Sequence, residues 1–168
     1  AHDECLALLK REDAEERADE VRKKFPEAEY NLCQMADKYD YTDGKYMIIV
    51  PRTIEDIVVE GSVLGHCIDR TDVYFDRIQN KTSMLAFLRK VDKPDVPWYT
   101  LEIEPGGTIR QKRTVGNTQK DTDIKAFTPF LRDWQKHVLR KMNEDDKALA
   151  RASKEARLEE YGQLRQKN

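Results

Sequence analysis

"PWYTLEIEPGGTIRQKR", Pro97 to Arg113, decides the fold. Tyr99, Leu101 and Ile103 alternate with Thr100, Glu102 and Glu104, the period-two pattern of a strand with one apolar and one polar face. Pro105-Gly106-Gly107 is turn chemistry, because proline presets φ and glycine supplies positive φ. Thr108–Arg113 then returns as the second strand of a hairpin. A loop of two or four residues places Thr100 opposite Gln111 and Glu102 opposite Ile109, so that Thr100, Glu102 and Gln111 share one face. A three-residue loop breaks that pairing and sets Arg110 and Lys112 beside Thr100 and Glu102 instead.

Working outward, "SMLAFLRKV" reads as a central strand, apolar on both faces, over 83–91. Tyr46–Val50 is a short β-rich run after the Asp43-Gly44 turn, and Pro51 stops it. The rest is helical. Residues 3–24 keep a loose apolar spacing among many charges, and Pro26 opens a second helix with Ala28, Leu32, Met35, Ala36 and Tyr39 as its stripe. Thr53 caps a third helix whose first turn carries Glu55 and Asp56, and a short helix spans Asp72–Gln79. A long helix follows "VGNTQKDTD", with Thr128-Pro129 as its expected start. The sum is an α+β fold: a small, mainly antiparallel sheet (strands near 46–50, 83–91, 98–104 and 108–113) packed with helices. Residues 1–40 form a helical extension, 41–142 the core, and 143–168 a charged helix or tail that Leu158, Tyr161 and Leu164 alone could anchor.

With 168 residues, 37% charged and 39% hydrophobic, the chain makes one domain with a lean core. The net charge of −2 supplies no global field toward DNA or a membrane, yet residues 1–40 sum to −5 and residues 81–120 to +4. Cys5, Cys33 and Cys67 are too few for a disulfide framework and suit a reducing cytoplasm. No apolar run reaches membrane-spanning length, so no membrane partner is expected. The acidic start is no signal peptide, and the missing initial Met suggests a trimmed piece of something longer.

The chemistry concentrates in "VEGSVLGHCIDR", Val59 to Arg70. Glu60 borders the buried stripe of its helix, where a carboxylate needs a partner or a purpose, and Arg70 is one candidate partner. His66 and Cys67 follow Gly65 at the helix end. The plainer readings are a small buried hydrophobe for Cys67, a helix-end cap for His66 and an exposed sheet face for Glu102 and Gln111. Neighbouring helical positions diverge, so His137 is a better base for Cys67 than His66 is. No zinc-ligand spacing, phosphate loop or dinucleotide fingerprint is present, and neither metal nor cofactor is expected.

"YMIIVP", "EGSVLGHCI", "LAFLR", "PWYTLEIE", "IRQKRTVGN" and "FLRDW" resemble, in that order, the pattern of the PcfJ-like family, over roughly Tyr46 to Trp134. The resemblance implies a mobile-element setting: conjugative plasmids, integrative elements and phage-borne islands. It also implies a set of shared positions: Glu60, Gly61, Leu64, His66, Cys67, Arg89, Thr100, Glu102, Gln111 and Asn117.

Two functions are weighed. The first is an accessory protein associated with nucleic acid or with a protein partner of a transfer or phage-related complex. In it Lys90, Arg110, Lys112 and Arg113, with Lys81, Arg89 and Lys120, meet phosphates. The second is an enzyme, a hydrolase, nuclease or ADP-ribosyl-type transferase acting on a nucleotide, RNA or other phosphodiester. There His66 is general acid or base, Glu60 or Glu102 its partner, Cys67 a less favoured nucleophile, and Arg89, Thr100, Gln111 and Asn117 the substrate contacts. A protein-binding module built on the charged helices is a third reading. In each, Val59–Arg70 walls a cleft floored by the hairpin.

Overall fold

A computed structural model describes the backbone of residues 2–66 and 68–167, and the side chains of residues 13–66, 68 and 70–163. Six α-helices are described: α1 His2–Lys24, α2 Ala28–Tyr39, α3 Ile54–Leu64, α4 Val73–Gln79, α5 Asp121–Trp134 and α6 Glu144–Lys167. Five strands, β1 Tyr41–Thr42, β2 Tyr46–Ile49, β3 Met84–Lys90, β4 Tyr99–Ile103 and β5 Ile109–Arg113, pair in the order β1-β2-β3-β4-β5. Every pairing is antiparallel. The expected α+β architecture is present, with β1 added at one edge. Among the described residues no helix is long and apolar enough to cross a membrane.

The sheet is sandwiched, because β3 is apolar on both faces. Ala86 and Leu88 join Tyr99, Leu101 and Ile103 on one face, against Phe127, Phe130, Leu131 and Trp134 of α5 and Ala36 and Tyr39 of α2. The Trp134 indole donates to the Tyr39 carbonyl at 2.9 Å, which satisfies a buried donor while tying α5 to α2. Leu85 and Phe87 face the other way, toward Ala14, Ala18 and Val21 of α1, Ile54, Ile57 and Val58 of α3, and Phe75 and Ile78 of α4. Residues 1–40 therefore supply buried surface to both layers. A carboxylate helps seat α3: Glu29 accepts from Ile54 N at 3.0 Å and from Arg22, which also pairs with Glu55. Thr53 caps α3 by accepting from Asp56 N at 3.2 Å.

Three expectations need correction. Helix α5 begins at Asp121, not at Thr128-Pro129, and holds Pro129 inside it. Asp121 and Asp123 suit its positive end, and the ring of Pro129 lies on the exposed side, where water can take the hydrogen bond proline forgoes. The hairpin loop is Pro105–Gly107, closed by Glu104 N to Thr108 O at 2.9 Å and Gly107 N to Glu104 O at 3.0 Å. Its pairing is Thr100 with Arg113 and Glu102 with Gln111, not Gln111 and Ile109. Arg110 is an extra residue, since Ile109 already pairs with Ile103. This bulge restores the parity that a three-residue loop breaks, and so Thr100, Glu102 and Gln111 share a face after all.

The tail also docks by different chemistry. Leu158 and Tyr161 of α6 are exposed, and the Leu164 side chain lies outside the described residues. Polar groups hold α6 instead: Ser153 donates to the Thr82 carbonyl at 2.5 Å, Arg157 pairs with Glu104 at 2.7 Å, and Glu160 accepts from Arg110 at 2.7 Å and Arg77 at 3.3 Å.

The hairpin turn is packed from outside. A Cβ on Gly107, whose φ is 96°, would sit 3.2 Å from Leu139 Cβ, whereas one on Gly44, with φ 91°, would meet nothing within 4 Å. In urea denaturation Gly107→Ala is expected to lose about 2–3 kcal/mol and Gly44→Ala about 1 kcal/mol, the difference being the clash. Equal losses would remove the close approach from the account.

Candidate functional site

The face of the sheet under α3 and α4 carries a polar row. Gly65, at φ 64°, ends α3 in a left-handed turn with its N–H on the Gly61 carbonyl at 2.8 Å. Glycine adopts that conformation freely, and it sends the chain down beneath the helix. His66 consequently lies 3% exposed against β4, its Nε2 2.7 Å from Thr100 Oγ1. Its Nδ1 is buried and has no partner among the described residues. Burial lowers the imidazole to about 4, so at neutral pH it is uncharged.

Glu102 stands two residues further along β4, 1% exposed. Arg77 Nη1 reaches both its oxygens at 2.9 and 3.1 Å, Ser83 Oγ donates at 2.6 Å and Gln111 Nε2 at 3.3 Å. Gln111 also donates to Tyr74 Oη at 2.6 Å. Thr100 and Glu102 are thus neither an exposed sheet face nor the lining of an open pocket. They are a hydrogen-bonded wall beneath α3, α4 and α6.

An open cleft lies beside this wall. Glu60, in the last turns of α3, pairs with Arg89 at the end of β3, not with Arg70. Arg89 also donates to the Pro94 carbonyl at 3.1 Å and lies over the Phe87 ring. Glu60 and Arg89 line a cavity of about 440 Å³ together with Arg52, Asp56, Val59, Phe87 and the Pro94–Pro97 loop. Its floor is β2 and β3, not the β4–β5 hairpin; the shift follows from the hairpin's polar side chains being consumed by one another. Burial outweighs Arg89 and pushes the Glu60 carboxyl up to about 7. Among the described residues Glu60 Oε2 and Arg89 Nε are buried without partners, an unusual state for charged groups.

The remaining predicted residues disperse. Asn117 is exposed at φ 61°, in the Val115–Asn117 turn beside α3. Arg110 is occupied by Glu160, and Lys90 lies 4.7 Å from the centre of the Trp98 ring. Lys112 points to the α5 face and Arg113 to the α3 face, so the four cations make no single surface. Cys67 lies outside the described residues. His137 is exposed in a π-turn after α5, across the sheet from α3. Among the described residues no three His, Cys, Asp or Glu side chains gather as a metal-holding group. Arg77, Ser83, Tyr74, Arg52 and Asp56 were missed. The Tyr74/Arg77 spacing on one helix face was a local signal, but pairing across 25 residues leaves none.

A family model for the PcfJ-like protein matches residues 1–128. The chain belongs to the PcfJ-like family. The match takes in α1 and α2, beyond the stretch from Tyr46 that carried the resemblance, and ends before α6. A curated relative from Listeria innocua, the uncharacterized protein Lin1253/Lin1744, is 26% identical over 125 residues, or 74% of this chain. The chain spans 25% of that protein's length. No solved structure matches.

Glu60 and His66 give opposing pH dependences. Glu60 is raised in the fold, so the folded state holds the extra proton and stability falls as pH climbs from about 4.5 to about 7. His66 is depressed, so the unfolded chain holds the extra proton and stability rises from about 4 to about 6.5. Relative to the unsubstituted protein, Glu60→Gln should steepen the rise of Tm across pH 4.5–6.5, and His66→Gln should make Tm fall there. Parallel Tm profiles for all three proteins would contradict both shifts.

Proposed function

We propose that this PcfJ-like chain is an accessory protein of a mobile genetic element, associated with nucleic acid or with DNA-transfer machinery, and that it binds a small polar ligand in the Glu60–Arg89 cleft. The observation that carries the ligand site is a pair of buried polar atoms without partners among the described residues, Glu60 Oε2 and Arg89 Nε, in two side chains that line a cavity of about 440 Å³. That volume suits a small molecule. Arg89, and Arg52 through the guanidinium donors its Nη2 contacts to Asp37 and Asp40 leave over, offer hydrogen bonds to an anionic group; Asp56, Glu60 and Asp95 accept from hydroxyl or amide groups, and Phe87, Val59 and the prolines give a planar portion an apolar seat. A nucleotide combines these three chemistries. The mobile-element setting rests on family membership.

One observation favours a catalytic variant of this reading. A carboxyl near half-protonation at neutral pH, on the wall of an open cleft, is placed to move a proton. In that variant Glu60, not His66, is the acid–base group. His66 and Glu102 are engaged in the wall.

Titration calorimetry with adenosine monophosphate, the other nucleoside monophosphates and NAD tests the site. At least one should bind, Arg52→Ala at the rim should weaken it about 3-fold to 10-fold, and Arg89→Lys more than tenfold with Tm held within a few degrees. A panel that does not bind, or binds both variants as tightly as the parent, would remove the cleft as a nucleotide site.

A further inference from the structure

The opposite face of the sheet holds a second concavity, about 380 Å³, between β5 and α5. Its lining includes Lys112, Arg132 and Arg140, with Thr108, Thr128 and Gln135 and no carboxylate. None of the three cations takes part in an ion pair among the described residues, although 16 side-chain pairings are made elsewhere, including those of Arg77, Arg89, Arg110 and Arg157. Cations in a chain of net charge −2 are not short of acids, so an acid-free pocket of this kind is a selective arrangement.

The pocket is also built firmly. Gln135 Nε2 donates to the Gly107 carbonyl at 2.8 Å, locking the helix end to the hairpin turn. A Cβ on Gly107 would lie 3.3 Å from Arg140 Cγ, a tight approach, so the turn backs the stem of that arginine. Between Gln135 and Leu139 the helix widens into a π-turn, a feature common at functional sites, and Arg140, directly after it, lines the groove with Lys112 of β5.

We propose that this groove binds the phosphodiester backbone of a nucleic acid. A single phosphate would need only the pocket, but the cations continue along the helix. Residues 125–141 carry five Lys or Arg against the single Asp133. Lys125, Arg132 and Lys136 fall on one exposed stripe at spacings of seven and four, continuing to Arg140. At 1.5 Å rise per residue that stripe is about 20 Å long, the reach of several consecutive phosphates. This deepens the nucleic-acid part of the proposed function and is independent of the cleft on the α3 face.

The test is binding of a fluorescent single-stranded oligonucleotide, and of its duplex, to the full chain across a salt series. Lys112→Gln/Arg132→Gln/Arg140→Gln is compared with a charge-matched control, Lys23→Gln/Lys93→Gln/Lys154→Gln. The groove variant should lose at least tenfold at low salt with Tm unchanged. Its log K against log salt slope should shrink by about 2, the value for three lost single-strand phosphate contacts. The control should bind as the parent does. A groove variant equal to the parent or to the control overturns the surface while leaving nucleic-acid association elsewhere on the chain. Pyrophosphate displacing the oligonucleotide at equal phosphate concentration overturns the polymer as occupant. A parent chain that binds no oligonucleotide at low salt overturns both this surface and the nucleic-acid association, but not the cleft.

Discussion

The carboxylate of Glu102 is the group around which this structure closes. Burying a charge costs several kcal/mol unless it is fully partnered. Its partners come from α4 (Arg77), the approach to β3 (Ser83) and β5 (Gln111), and Arg77 extends the set to α6 through Glu160. All must be in place together. The polar row thereby fixes which way α4 lies on the sheet and brings the C-terminal helix down over the hairpin, although that helix offers little apolar surface. The same satisfaction makes Glu102 a poor reacting group, since a carboxylate with every lone pair engaged has nothing left for a substrate.

Glu60 is the contrast. It too is buried and paired with an arginine, yet one oxygen is idle and the cleft lies alongside. The two carboxylates differ in their donors, three side chains around Glu102 and one around Glu60, more than in their depth. His66 belongs with the wall: a neutral ring braced on Thr100, holding the end of α3 to the sheet. The sheet then separates two concavities of different charge. The α3 face has a mixed-charge cleft suited to a compact ligand, and the α5 face has an all-basic groove suited to an extended anion.

Much of this was legible in residues. The alternation of Tyr99 to Glu104, the cap at Thr53 and the glycine after Leu64 are local signals, and each produced the element it implied. The shared face of Thr100, Glu102 and Gln111 was legible too, but for an incomplete reason. Parity depends on a bulge at Arg110, and nothing in "TIRQKR" marks which residue the ladder will skip. Long-range ion pairs were the other blind spot. Glu60 meets Arg89 and Glu102 meets Arg77 because tertiary packing delivers them, and charge alone cannot choose among 30 basic residues. The charged tail has few apolar anchors in its sequence, and Ser153, Arg157 and Glu160 do the docking through polar contacts that no local pattern marks.

The claim beneath all of this is that Glu102 and Arg77 act as one structural unit. A double-mutant cycle in urea, with Glu102→Gln, Arg77→Met and the pair together, measures it directly. The account predicts that each single change costs about 3 kcal/mol and that the pair costs little more than one of them, a coupling of about 2 kcal/mol or greater. Single changes each below about 0.5 kcal/mol, with additive effects in the pair, would contradict it.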